Sequence, residues 1–304
     1  MDIGITTFDI QIPSGRKLIE NHKKIFIETG SLFDLVKSAG INVLKKSTVS
    51  PNEIDLIIFA GSGSSQKWLW SPSAKLQFDL DLNNAQAFDV FNGCNSLQIS
   101  IQIAKQFLLA NRNKNHVLIL IGDELSKIGD INNQEHEPLW SFGDSAAAIL
   151  VQKNASTLKV VSQSFFTDGS FYDDLWFDPK RETTFLDNDQ IRNKNLSLAY
   201  EKNYPKQILA AMNDAGIQKK DLATVCMNQG SPKIIDKTED ALGLKRGTIL
   251  RTFNEYGHLG SADVLLALKY FLTTPYPKNR LQNKYIALAS SSVGYSWGCT
   301  ILKL

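Results

Sequence analysis

The sequence predicts an α/β protein made of two similar halves, and three observations carry that expectation. Short apolar runs of strand length alternate with stretches of helical period, the pattern of layered sheets and helices. Segments of the first half return in the same order in the second, the signature of an internal repeat. The 304 residues, 43% of them hydrophobic, are enough to bury one large core or two fused ones. The join is expected at 151–157, dividing the chain into 1–154 and 155–304.

Taken in order, the first element is a helix-like stretch ending in Ser-Ala-Gly at 38–40. Within STVSPNEIDLIIFAGSGS a continuous apolar run predicts a buried strand at 54–60. In AQAFDVFNGCNSLQIS a strand-like run at 87–91 ends in Asn92-Gly93, and a helical pattern runs from Asn95 to Ala110. HVLILIGDE and WSFGDSAAAILVQ continue the first half. The segment 167–195 is polar and aromatic with turn residues and no clear period. It reads as an insertion at a surface or mouth position, a substrate-facing cap rather than a separate domain. The second half opens on a helix-like stretch ending at Ala215-Gly216 and a strand at 222–227. Aligning Lys105 with Lys269 gives an offset of 164, which places Cys94 on His258 and CNSLQISIQIAKQFLLA on HLGSADVLLALKYFLTT. The apolar positions of these two stretches (Leu97, Ile101, Ala104, Phe107 and Leu108; Val264, Leu265, Ala267, Leu268 and Phe271) suit buried helices, expected side by side at the centre of a pseudo-twofold pair. KYIALASSS and VGYSWGCTILKL close the repeat.

The formal charge of +2 gives no reason to invoke nucleic acid or an anionic membrane. A basic patch for a phosphorylated carrier is not located by the sequence. Cys94, Cys226 and Cys299 are widely spaced without a CxxC pair, which argues against a disulfide framework or a zinc site and fits a reducing compartment. The N-terminus lacks the basic and apolar regions of a signal peptide, and no apolar run reaches transmembrane length, so a cytoplasmic location is expected.

Cys94 stands where a strand gives way to a helix. A thiol at a helix N-terminus lies near the positive end of the dipole and beside unpaired N–H groups, which favours the thiolate, the species that attacks acyl groups. The alternative is a buried structural cysteine. His258, at a Gly-flanked loop-to-helix junction, reads as a base, with a core histidine as the alternative. Asp263 follows five residues later; folding back across the turn, its carboxylate reaches one imidazole nitrogen while the other faces Cys94. Asp263 alternatively stabilises the start of its own helix. Asn228 is either a donor aimed at a thioester carbonyl or a strand-end turn residue. His22, His116 and His136 read as surface or structural, the serines of GSGSS and SSS give no independent signal, and neither a GxSxG elbow nor a P-loop is present.

Six segments in order resemble the thiolase fold and, within it, the type III ketoacyl-acyl-carrier-protein synthase group, over nearly the whole chain. They are EIDLIIFAGSGS, AFDVFNGCNSLQISIQIA, LWSFGDSAAAILV, NQGSPKIIDKTEDALGL, YGHLGSADVLLAL and SSSVGYSWGCTIL. The resemblance implies two pseudo-symmetric halves in a five-layered α-β-α-β-α arrangement, with the nucleophile Cys94 in 1–154 and His258 in 155–304. It implies an oxyanion hole made by the backbone N–H groups of Cys94 and Val293, and a tight structural turn at Gly143-Asp144. The family's histidine of the HQ pair falls on Asn228 and its asparagine of the GN pair on His258, which puts decarboxylative condensation in doubt. The GHxGxxD form, here Gly257 to Asp263, resembles a subgroup that uses a Cys-His-Asp set to transfer acyl groups onto hydroxyls or other acceptors in natural-product pathways.

The expected activity is acyl transfer: a coenzyme A or carrier-protein thioester loads Cys94, and the acyl group passes to an acceptor activated by His258. The alternative is the family's condensation with a malonyl thioester; a third reading is an inactive partner subunit of a heterodimer. No bound cofactor or metal is expected. The region before EIDLII is short relative to the family and shows no clear counterpart of the Trp/Arg elements that clamp coenzyme A, which favours a carrier-protein donor. The 165–177 aromatics and SSQKWLW are candidate pocket walls. By resemblance the chain is expected to form a homodimer through the strand at 85–91.

Overall fold

The computed structural model describes residues 2–18, 24–62, 69–178, 180–181, 183–187, 189–275 and 283–304. His22 and most of SSQKWLW lie outside these residues. The elements of the first half are β1 (Ile3–Gln11), β2 (Gly15–Leu18), β3 (Lys24–Ile27), α1 (Leu32–Ser47), β4 (Leu56–Gly61), α2 (Pro72–Asp79), β5 (Gln86–Phe91), α3 (Ser96–Ala110), β6 (His116–Glu124) and β7 (Asp144–Lys153). Those of the second are β8 (Lys159–Thr167), β9 (Leu175–Asp178), β10 (Thr183–Leu186), α4 (Gln190–Asp214), β11 (Leu222–Met227), α5 (Pro232–Leu242), α6 (Phe253–Tyr256), α7 (Asp263–Thr273), β12 (Tyr285–Ser292) and β13 (Ser296–Lys303).

Nine strands run in the order β11-β12-β13-β8-β1-β7-β6-β4-β5. In the first half β4 lies parallel to β5 and β6, and β7 is antiparallel to both β6 and β1. In the second half β11 is parallel to β12, and β13 is antiparallel to β12 and β8. Among the described residues a single register pair, Gly4 with Lys159, joins the two sets. A Cβ on Gly4 would lie 2.7 Å from the Leu158 carbonyl, so the seam needs glycine there. The bridge from Val225 to Ile249 stands on β11 where β5 stands on β4, as a vestige of the repeated strand.

Side-chain alternation builds the layers. Leu56, Ile58 and Ala60 of β4 face α3 and α7, whereas Ile57 and Phe59 face α1 and α2. On the other side, Cys226, Ile286 and Leu288 face the same central helices, and Val225, Met227, Ala287 and Ala289 face α4 and α5. The order is therefore α-β-α-β-α, with α3 and α7 sharing one core between the sheets. Leu97, Ile101 and Leu108 of α3 are fully buried, each worth about 1.5–3 kcal/mol.

Three sequence expectations change. The helix read as ending at Gly40 runs on to Ser47. Gly40 is buried, and a Cβ there would lie 2.9 Å from Leu80 Cδ1 and 3.2 Å from Leu120 Cδ2, so the glycine serves close packing and not termination. The strand expected from Ile54 begins at Leu56, after a short 3₁₀ turn at Pro51–Glu53. The segment 167–195 holds the β9–β10 hairpin, with Trp176 stacked on Phe185, and its last six residues already belong to α4. Ile191 and Leu198 in the first turns of α4 are exposed, so no apolar stripe marked the helix. Asp189 caps it, accepting from Arg192 N at 2.8 Å.

Candidate active site

Cys94 lies where β5 reaches α3. Gly93, at φ 49°, turns the chain into a 3₁₀ turn (Gly93–Asn95) that leads straight into the helix. A Cβ on Gly93 would lie 2.9 Å from Ser292 Cβ and 3.5 Å from Val293 N, which shows how closely the second half approaches. Ser96 Oγ accepts from Asn92 N and donates to Gly61 O, both at 2.7 Å, tying the ends of β4 and β5 to the helix start. The Cys94 side chain is buried within this junction.

His258 comes from the opposite half. Its N–H donates to Ser141 O at 2.8 Å, and its carbonyl accepts from Gly143 N at 2.9 Å. The Phe142 ring packs against the imidazole at 4.7 Å between centroids. Nε2 is 3.3 Å from Cys94 Sγ, and Nδ1 is 2.5 Å from Asp263 Oδ2. The carboxylate also accepts from Leu259 N at 2.9 Å and Gln229 N at 2.7 Å. Asp263 thus turns back over the loop instead of bonding the amides of α7. With Nδ1–H given to the carboxylate, Nε2 is left as acceptor for the thiol; this tautomer follows from the hydrogen-bond network.

Burial pushes the Cys94 thiol up, with the neighbouring His258 opposing that shift. Burial alone would lower His258, but Cys94 and Asp263 outweigh it and hold the imidazole well above its usual range. The Sγ–Nε2 contact gives the thiol proton a path to the imidazole, and the Asp263 carboxylate favours the imidazolium that results.

Asn228 adjoins this chain without joining it. Its Oδ1 accepts from the Tyr204 hydroxyl and from Ser291 N at 3.3 Å, and its Nδ2 donates to Ser291 O at 3.2 Å. Gln229 carries the link onward: its N–H reaches Asp263, and its side-chain amide bonds Met227 O, Leu250 O, Thr252 N and Phe253 N. Val293 lies in the turn between β12 and β13, with its backbone N facing Gly93. Asp144 accepts from Glu28 N, Ser126 N and Ser126 Oγ, bracing the loops around Gly143. His116 pairs with Glu53 O and His136 with Asp130 N, both outside this arrangement.

Sequence reasoning missed Tyr204 and Asp123. Tyr200 and Tyr204 stand four apart on α4, which places both rings on one face; that spacing was the available signal. Asp123, fully buried at the end of β6, accepts from Ser62 N at 2.7 Å, from Ser62 Oγ, and from Ser261 N at 2.8 Å. Ser261 Oγ in turn donates to Gly93 O at 3.3 Å, so Asp123 helps hold the base's loop against the nucleophile's. Among the described residues no group of three or more His, Cys, Asp or Glu side chains is arranged to hold a metal, and no helix is long and apolar enough to cross a membrane.

Two family models match the chain. 3-Oxoacyl-[acyl-carrier-protein (ACP)] synthase III matches residues 88–169, which include Cys94. 3-Oxoacyl-[acyl-carrier-protein (ACP)] synthase III C terminal matches residues 212–304, which include Asn228, His258, Asp263 and Val293. The chain is similar to the beta-ketoacyl-[acyl-carrier-protein] synthase III of Lactococcus lactis subsp. lactis, with 25% identity over 290 residues covering 93% of this chain and 88% of the relative. It superposes on 3-oxoacyl-[acyl-carrier-protein] synthase III from Aquifex aeolicus with a TM-score of 0.86 at 18% identity, covering 99% of this chain and 100% of the other. The acyltransferase ChlB3 superposes with a TM-score of 0.79 at 17% identity, covering 100% and 98%. At these identities the two structures share the fold, the layered thiolase arrangement described above.

Proposed function

This chain belongs to the 3-oxoacyl-[acyl-carrier-protein] synthase III family, and from that premise we propose that it is an acyltransferase working through an acyl-Cys94 intermediate with a Cys94-His258-Asp263 set. The observation that carries this reading is the position of His258, bonded to Cys94 on one side and to Asp263 on the other. A base held this way serves both half-reactions and needs no enolate.

In the first half-reaction the Cys94 proton moves to His258 Nε2 while Sγ attacks the carbonyl of a donor thioester. The backbone N–H groups of Cys94 and Val293 are assigned to the resulting oxyanion. The carbon–sulfur bond to the donor breaks, and the departing thiolate takes the proton from His258. In the second, His258 accepts a proton from an acceptor hydroxyl or amine as that atom attacks the acyl carbon. Sγ leaves and is reprotonated by the imidazolium. Asn228 does not titrate, so the part assigned to it is that of a hydrogen-bond donor, here to the acceptor rather than to the thioester carbonyl expected from the sequence. Coenzyme A or a carrier protein delivers the acyl group, and a carrier is favoured. The open edge of β5, paired to β4 alone among the described residues, is where a second copy of the chain would add.

Condensation is the second reading, favoured by both family models and by the name of the Lactococcus relative. There the acyl-Cys94 is attacked by the carbanion of a decarboxylating malonyl thioester. Intact mass after incubation with acyl-coenzyme A and acyl-carrier donors, wild type against Cys94→Ala, tests what the two readings share: an adduct present in the first and absent in the second is expected. Loaded protein is then offered malonyl carrier or hydroxyl and amine acceptors. Carbon dioxide and a ketoacyl thioester would establish condensation, and an acyl ester or amide would establish transfer. No adduct from any donor would overturn both and leave an inactive partner subunit.

A further inference from the structure

We propose that Tyr204 is a positioning residue for the second half-reaction, acting through Asn228. The inference rests on the acyl-transfer reading above and adds what fixes the acceptor side of the site. Asn228 is almost fully buried, and so is Tyr204. Backbone groups settle the amide's orientation: Ser291 N is a donor, so the atom facing it is Oδ1, and Ser291 O is an acceptor, so the atom facing it is Nδ2. The Tyr204 hydroxyl carries one hydrogen and gives it to Oδ1. Its 2.7 Å contact with Ser291 Oγ is therefore donated by the serine. Oδ1 is thereby saturated by two donors, whereas Nδ2 has spent one of its two hydrogens.

The remaining hydrogen belongs to a side chain one residue from the Gln229 N–H that holds Asp263. Losing the tyrosine hydroxyl leaves Oδ1 with the single 3.3 Å bond from Ser291 N and Nδ2 with its 3.2 Å bond to Ser291 O, so the amide keeps its orientation but is held less firmly against an incoming acceptor. Tyr204 is anchored independently of this bond. It stacks on Tyr200, and Tyr200 meets Trp297 edge-on at 5.4 Å. The ring therefore stays in place when only the oxygen is removed.

The test compares Tyr204→Phe, Asn228→Ala and the double variant. The rate of acyl-Cys94 formation and the rate of its discharge are measured separately, alongside thermal melting. Tyr204→Phe is expected to leave acylation within about twofold and slow discharge about tenfold. Asn228→Ala should do the same, and the double variant should be no slower than either. Additive losses in the double variant or an unaffected Tyr204→Phe would each overturn the proposal. So would a Tyr204→Phe protein that loses both half-reactions together or fails to fold, because Tyr204 would then be a structural prop. Absence of any acyl adduct in the wild type is a separate result and counts against the acyl-transfer reading itself.

Discussion

The imidazole of His258 sits between a thiol and a carboxylate, and each neighbour changes what the other can do. Burial would lower its affinity for a proton, yet Cys94 and Asp263 raise it, so the pH limb of kcat/KM that reports His258 lies above the usual value of about 6.5. Asp263→Asn removes the charge, moves that limb to lower pH and is expected to cut kcat about 100- to 10,000-fold. Rate–pH profiles of acylation for the two proteins check the sign. Stability follows the same direction: a histidine raised in the folded state contributes stability fully present below about pH 6.5 and lost as pH rises through its folded value. The melting gap between wild type and Asp263→Asn should therefore narrow toward alkaline pH. Cys94, His258 and Asp263 were legible because their signals are local, a strand-turn-helix junction and a five-residue return across one loop. Tyr204 and Asp123 were not, since what defines them is a partner brought near only by the sheet. A helix end beside Cys94 can be read from spacing, whereas the burial that pushes its thiol up cannot.

At the level of elements, the loop that carries His258 is set by its glycine. Gly257 has φ 70° and ψ −151°, and a Cβ there would lie 2.4 Å from Ser141 O, the atom that accepts the His258 N–H. Gly257→Ala therefore combines backbone strain of about 1–3 kcal/mol with a clash that parts His258 from Ser141. A fall in melting temperature of about 5 °C or more is expected, together with loss of acyl-Cys94 formation at 25 °C. Gly216, at φ 66° with open space around it, is the control: Gly216→Ala shares the strain without the clash and should keep full activity. The strands and the two central helices matched their sequence patterns closely, because buried alternation and a four-residue stripe leave clear marks. Gly40 misled because a glycine that permits close packing and one that ends a helix look alike in sequence. The start of α4 was hidden because its first turns face solvent.

Across the whole molecule, the covalent link between halves is short and the non-covalent one is broad. Among the described residues one backbone register pair joins the sheets, while α3 and α7 share a single buried core. Fragments 1–154 and 155–304 made separately are each expected to be poorly folded and unable to form the adduct. Co-expressed, they should co-purify and recover acylation at Cys94, as intact mass of the larger assembly would show. The 164-residue separation of Cys94 and His258 equals the offset of the sequence repeat, which sets them at corresponding positions of the two halves. A single ancestral unit that paired with itself would have carried identical residues at both places, two sulfurs or two imidazoles facing each other. Two copies within one chain need not match each other at the two places. The asymmetry on which the proposed chemistry depends is thus open to halves that differ in sequence and closed to one unit paired with itself.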